Sequence, residues 1–224
     1  MVITIDGQAG SGKSTAARAL AAALGFELLN TGAMYRAAAW ALARAGADVY
    51  ALDPAEPLPP DPAALVAGLT FDLSAGRVRV GADDVTDDVC TEALGKAASR
   101  VGLFPAVRRR LQAEQRRIVG ARDVVTEGRD QGTVVFPDAP AKFFFTAAAD
   151  LRAARRAEEL GLPNDPASLA VLAADILARD EQDRGRKLDP LTPAAGAVGV
   201  DTTTLGPDAV LLLMLEEVRR CRGS

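Results

Sequence analysis

At 224 residues, with 26 Lys and Arg against 30 Asp and Glu and a formal net charge of −4, the chain has the make-up of a globular protein of one large or two small domains. The acidic balance, with both signs interspersed, argues against bulk binding to a nucleic acid polymer. Histidine is absent, which excludes histidine triads, histidine-ligated metal sites and any histidine base. Cys90 and Cys221 stand far apart without metal-ligand neighbours, the pattern of ordinary thiols in a reducing, cytoplasmic setting. No apolar run is long enough to span a bilayer, so no membrane partner is expected. The chain opens directly on a strand pattern and is expected to carry no signal peptide.

Val2-Ile3-Thr4-Ile5 predicts a short buried strand, and an alanine-rich pattern over 15–24 predicts a helix. Between them, Gly7-Gln8-Ala9-Gly10-Ser11-Gly12-Lys13-Ser14 matches G-x-x-x-x-G-K-[ST], the phosphate-binding P-loop. Strand, glycine loop and helix are the context that motif requires. Glycines let successive N–H groups turn inward as an anion nest, and the helix behind adds the positive end of its dipole. Lys13 is placed to reach the β- and γ-phosphates, and the Ser14 hydroxyl to ligate Mg²⁺.

Residues 26–29 predict a second strand. Asn30 or Thr31 caps a helix running to about 45, which Gly46 ends. Arg36 lies early in that helix, near the strand edge where open α/β sheets collect ligands. Residues 52–62 are proline-rich and acidic and predict a surface loop. Alternation over 69–73 and 77–80 around Ser74-Ala75-Gly76 predicts a hairpin, with a third short strand at 84–86. This antiparallel piece is expected beside the main sheet as an inserted lobe. Residues 91–119 are helical with a break near Pro105, and Val107, Leu111 and Ile118 share one face. Most of Arg108, Arg109, Arg110, Arg116 and Arg117 read as a solvated surface.

A strand over 123–126 leads into Gly128-Arg129-Asp130, a turn on the ligand edge. Residues 142–146 form another strand. Asp150 is expected to cap the helix after it, whose Arg152, Arg155 and Arg156 are spaced to share one face. An amphipathic helix over 166–184 turns Leu169, Leu172, Ala173 and Ile176 to the core. Arg179, Asp183 and Arg186 extend that face, which suits a wet cleft better than an i,i+4 pair on a solvated surface. Residues 200–203 form the last strand, and the apolar run 210–215 of the final helix is expected to pack on the sheet. Roughly five short strands alternating with helices predict an α/β fold with a doubly wound parallel sheet.

A P-loop serves kinases and switches alike. The Asn-Lys-x-Asp element of guanine-reading switches is missing. Instead there is an excess of arginines at cleft positions: Arg36, Arg108, Arg129, Arg152, Arg155, Arg156, Arg179 and Arg186. Two phosphate-bearing substrates meeting end to end call for that many cations, and the planar guanidinium fork suits phosphate. A P-loop kinase for another small molecule and, less readily, a nucleotide-dependent switch remain open on these residues alone.

Residues 7–15, Thr31-Gly32-Ala33-Met34-Tyr35-Arg36, Ala98-Ser99 through Phe104-Pro105, residues 128–137, and Arg179-Asp180-Glu181-Gln182-Asp183-Arg184 resemble the bacterial cytidylate kinases. The likeness runs over almost the whole chain in the same order, and 128–137 is its most specific part. It implies a single P-loop kinase domain whose core is 1–30, 98–150 and 199–224. It implies a monophosphate-binding lobe with the inserted sheet over 31–97, and a helical lid with its following helix over 151–187. It also implies ATP as co-substrate, held by residues 7–14 with Thr15, together with Mg²⁺. The acceptor would be CMP or dCMP and the protein a monomer.

Arg36 and Arg129 would hold the acceptor phosphate, while Ser99, Arg108 and Asp130, next to Gly128 and Arg129, would read cytosine. Thr31 would line the substrate, Arg179, Asp183 and Arg186 would line its sugar and phosphate side, and Arg152, Arg155 and Arg156 would close over the transferring phosphoryl. Thr31 stands where serine is expected, and Gln131 where many relatives have methionine.

Overall fold

The computed structural model describes residues 1–223, with Ala75 described by its backbone alone. The chain opens with β1 (Val2–Gly7), α1 (Lys13–Leu24) and β2 (Glu27–Asn30). Then come α2 (Thr31–Arg44), α3 (Pro60–Gly68), the two-residue strands β3 (Phe71–Asp72), β4 (Arg79–Val80) and β5 (Asp83–Asp84), α4 (Glu92–Val101) and α5 (Pro105–Val119). It continues through β6 (Val124–Gly128), a π turn over Gln131–Val135, β7 (Ala141–Thr146), α6 (Ala149–Leu160), α7 (Pro166–Arg184), β8 (Val198–Asp201) and α8 (Pro207–Arg222). Two compact units result. One holds Met1–Leu28 and the chain from Ala121 onward, the other Leu29–Gly120. Among the described residues no helix is long and apolar enough to cross a membrane.

The first unit is built on a five-stranded sheet of order β2-β6-β1-β7-β8. The pairs β1–β6, β1–β7 and β7–β8 are parallel, in the registers Ile5 with Glu127, Asp6 with Gly128 and Gly7 with Phe145. β1 has two different faces, because side chains alternate along a strand. Ile3 and Ile5 are fully buried in a core with Val125, Phe143, Phe145 and Val200, covered by Ala17 and Leu20 of α1 and by Val210, Met214 and Val218 of α8. Each such side chain contributes roughly 1.5–3 kcal/mol by leaving water. Thr4 and Asp6 point the other way and are equally buried. This second, polar face of β1 reaches the candidate site through Asp6. One local expectation also changes. Ala148, not Asp150, is the cap residue of α6, and Asp150 turns back to accept the Leu151 N–H. The run 210–215 packs on the sheet as expected, with Val210 and Met214 buried and Leu211, Leu213 and Leu215 partly buried against the same core, while Leu212 is 68% exposed, as a helix of 3.6 residues per turn demands.

The second unit packs α2 against α3, α4 and β4, and α3 against α5. Its small sheet is antiparallel, pairing Phe71 with Val80 and Val80 with Asp83. α3 falls partly inside the stretch expected to be loop. Pro60 sits in its first turn, where the missing N–H costs nothing. Arg110 and Arg117 are not loose surface cations. Both donate to Glu114, Arg117 at 2.7 and 3.0 Å and Arg110 at 3.0 Å, and the Phe71 N–H reaches the same carboxylate at 3.3 Å. Arg110 also donates to the carbonyls of Ala67 and Leu69. Glu114 therefore ties α5 to the end of α3 and to β3.

The Arg117 hydrogen bonds, against burial and with help from Arg110, hold the Glu114 carboxyl down at about 2. A carboxylate depressed in the folded state stabilises above its unfolded value of about 4.3, and that contribution is lost as pH falls from there through the folded value. Allowing for solvent screening at Arg117, it is worth about 2 kcal/mol. Glu114→Gln is expected to lower the unfolding free energy at pH 7 by that amount and to flatten its fall between pH 5 and pH 3. Denaturant titrations of both proteins across that range check this, and parallel acid limbs would refute it.

Candidate active site

Gly7 ends β1 with φ +143°, and a Cβ there would lie 2.1 Å from the Phe145 carbonyl oxygen, so only glycine fits where the chain leaves the sheet. The loop then climbs to Gly12, which caps α1. Lys13, in the first turn, is buried, and its Nζ donates to the Gln8 carbonyl and, at 3.4 Å, to Ser11 Oγ. Burial, followed by the nearby Arg129 and Arg179 charges, pulls this amine well below the usual lysine range, against the pull of Glu127 and Asp6. Ser14 is exposed, and its hydroxyl donates to Glu127 Oε2 at 2.7 Å.

The polar face of the central strands builds the second part of the site. Asp6 accepts the Gln131 N–H at 2.9 Å and the Gly132 N–H at 2.7 Å, which fixes the π turn after Asp130. Burial raises its carboxyl to about 6, although these two N–H groups oppose the rise. Gly132 has no room for a side chain, since a Cβ would meet Thr4 Oγ1 at 2.9 Å. Gln131 is fully buried. It accepts from Thr126 Oγ1 at 2.8 Å and donates to Asp130 Oδ1 at 3.1 Å, so the residue that departs from the expected methionine orients the Asp130 carboxylate.

The third part comes from α7. Asp183, 1% exposed, accepts from Arg129 Nε at 2.8 Å through one oxygen and from Arg186 through the other. Burial pushes the Asp183 carboxyl up, but Arg129, Arg186 and Arg179 outweigh it and hold the group below its usual range. Burial likewise works against the Arg129 charge, and Asp183, Asp180 and Glu127 more than offset it. The i,i+3 and i,i+4 spacing of Arg179, Asp183 and Arg186 thus gathers two half-buried arginines around a buried carboxylate.

Arg152, Arg155 and Arg156 do not present one face, which corrects the spacing argument. Arg152 is buried against Asp180. Arg155 donates to Thr202 Oγ1 and to the Thr202 carbonyl, each at 3.0 Å, and Arg156 pairs along its own helix with Glu159 at 3.0 Å. Long side chains on one helix flank follow whichever acceptor is nearest. In the second unit, Thr31 and Arg108 are buried and Arg36 and Ser99 partly so. Arg36 donates to the Val89 carbonyl at 3.5 Å and Arg108 to the Gly102 carbonyl at 3.4 Å.

The family profile described as cytidylate kinase matches residues 3–220. The cytidylate kinase of Nitratidesulfovibrio vulgaris is 42% identical over 229 residues, covering 99% of this chain and 94% of that protein. The cytidylate kinase of Pseudomonas fluorescens Pf-5 is 44% identical over 217 residues, covering 97% and 94%. The chain belongs to the cytidylate kinase family. An uncharacterized protein from Eubacterium ventriosum, known as a crystal structure, overlays on 98% of both chains with a TM-score of 0.53 at 11% identity, a likeness of fold alone.

Within this cytidylate kinase chain, three carboxylates of the site escaped the motif reading: Asp6, Glu127 and Asp180. A signal existed for the first two. Asp6 ends the strand that feeds the P-loop, and Glu127 stands opposite Ile5 at the matching end of β6. Asp180 lies three residues before Asp183, one helical turn away, and shared its polar stripe. The cations therefore do not stand as a bare surplus; Asp183 and Asp180 hold Arg129, Arg186 and Arg152 in place.

Proposed function

We propose that this enzyme transfers the γ-phosphoryl of ATP to the phosphate of CMP or dCMP, giving ADP and CDP or dCDP. The observation that carries this is the joining, in one unit, of a P-loop lysine with the Arg129–Asp183–Arg186 cluster, in a chain of the cytidylate kinase family. The P-loop takes the β- and γ-phosphates of ATP through Lys13 and the loop N–H groups. Arg129, with Arg179 and Arg186, takes the acceptor phosphate, and Arg36 belongs with them on the family pattern. Asp183 keeps the guanidinium groups from turning into solvent.

The nucleophile is an oxygen of the acceptor phosphate. Its second pKa near ~6 leaves it largely dianionic at neutral pH, so no base is needed, in accord with the missing histidine. What the protein supplies is alignment and charge neutralisation. Arg155 and Arg156, on α6, belong to the segment that closes over the transferred group and keeps water out.

Hard oxygen donors suit Mg²⁺, which takes few protein ligands alongside phosphate oxygens. The exposed Ser14 hydroxyl bonded to Glu127 fits that preference. Ser14 would hold the ion directly and Glu127 would orient its shell. A Mg²⁺ ion held there would supply positive charge to offset that of the ATP phosphates.

Asp130 carries the choice of base. Cytosine offers an amino donor at N4, whereas uracil offers a carbonyl acceptor there. Gln131 fixes Asp130 so that its carboxylate accepts rather than rotates away. On the family pattern alone, Ser99 and Arg108 would also read cytosine. CMP and dCMP are expected to be good acceptors, and UMP to be poorer in kcat/KM by a factor on the order of 10² or more. ADP formation with each monophosphate tests this. Equal kcat/KM for CMP and UMP overturns the Asp130 role, and ATP hydrolysis indifferent to any monophosphate overturns the kinase reading.

A further inference from the structure

Arg152 and Asp180 form an ion pair with 2% and 0% of their side-chain surfaces exposed. What they share is a single residue of the P-loop, Ala9. Asp180 Oδ1 accepts the Ala9 N–H at 3.1 Å, Arg152 Nη1 donates to the Ala9 carbonyl at 3.1 Å, and Arg152 donates to Asp180 Oδ2. The result is a closed ring of hydrogen bonds joining α6, α7 and the loop. The next loop residue is pressed onto the same place. Gly10 has φ +70°, and a Cβ there would lie 3.2 Å from Arg152 Cβ and 3.4 Å from the Arg152 carbonyl oxygen.

We propose that Arg152 and Asp180 are positioning residues that clamp the P-loop at Ala9 in its phosphate-binding shape, and that Arg152 does not touch the transferred phosphoryl. The proposal rests on reading Gly7 to Ser14 as the ATP-phosphate loop, and not on which monophosphate accepts. A loop with three glycines in eight residues loses much conformational freedom on ordering. A clamp removes that freedom before ATP arrives, so the binding free energy is not spent on ordering the loop. A buried ion pair gives little stability over an apolar pair of similar size. Its grip on both polar groups of Ala9 is something an apolar pair cannot reproduce.

That contrast supplies the test. Arg152→Met or Asp180→Leu alone strands a buried charge and is expected to lower the melting temperature sharply. The double variant removes both charges and is expected to melt near the wild type. If the pair is only structural, ATP affinity returns with stability. If it positions the loop, ATP binding measured by calorimetry stays weaker by about tenfold or more. A folded double variant with wild-type ATP affinity overturns the proposal.

A measurement on the wild type covers a double variant that does not fold. The Ala9 amide in nucleotide-free protein is expected to exchange its hydrogen as slowly as the buried amides of β1. Exchange at the rate of an open loop overturns the clamp. If the wild type binds ATP but makes no ADP with CMP, the acceptor assignment fails while this test, which reads ATP binding, still stands.

Discussion

Lys13→Met is expected to lower kcat with CMP by a factor on the order of 10³, about 4 kcal/mol of transition-state stabilisation. Methionine matches the length and burial of the lysine stem, so the loop keeps its packing while the ammonium is lost. That ammonium lies within reach of the Gln8 carbonyl and Ser11 Oγ, at the mouth of the nest. Stability should move the other way. Lys13 is buried beside Arg129 and Arg179, which oppose its charge. Removing a desolvated cation from like-charged neighbours relieves a cost, so the melting temperature is expected to hold or rise. Single-turnover phosphoryl transfer and a thermal melt on one preparation give both numbers. A variant within tenfold of wild-type kcat would remove Lys13 from the mechanism, and a sharp fall in melting temperature would make it a structural residue.

Arg129→Ala is expected to cut kcat/KM for CMP by a factor on the order of 10³, through a higher KM and a lower kcat, with ATP affinity little changed. Arg129 is half-sunk between Asp183 and the Gly128 carbonyl, which it reaches at 2.8 and 3.2 Å. Its guanidinium is therefore aimed before any ligand binds. Asp183 keeps Arg186 in the variant, so no bare carboxylate is left in the interior and the fold survives. Arg129→Lys should recover only part of the loss, since an ammonium reproduces the charge and not the two-point fork. Collapse of ATP binding with CMP binding intact would place Arg129 on the donor side instead.

The parts of this molecule that were readable from the chain are those in which one local rule decides. The P-loop was legible because glycine spacing, a preceding strand and a following helix all point to one geometry. The extent of α7 was legible from its apolar period, and the structure adds Asp165 as its cap, accepting the Ala167 and Ser168 N–H groups. α3 was not, because its prolines were read as loop signals when Pro60 was a helix start. Strand order was out of reach, since nothing in β6 or β7 names β1 as its neighbour.

The same limit hid the carboxylates. Asp6, Glu127 and Asp180 act on groups 125, 113 and 171 positions away in the chain. Their partners exist only once the sheet has formed. Arginine spacing on α6 suggested a common direction, and the acceptors Asp180, Thr202 and Glu159 sent the three side chains apart. Side-chain direction is set by tertiary acceptors as much as by helical period.

Glu27, the first residue of β2, donates its N–H to the Asp123 carbonyl at 3.0 Å, so the strand that leads out of the main sheet begins beside the residue that leads back into it. The ninety-odd residues between are a cassette spliced in at one seam. Such a cassette can lengthen, shorten or be exchanged while the hydrogen-bonded framework at its ends keeps its spacing. Evolution can thus reshape the insert without rewriting the strands that carry the glycine loop.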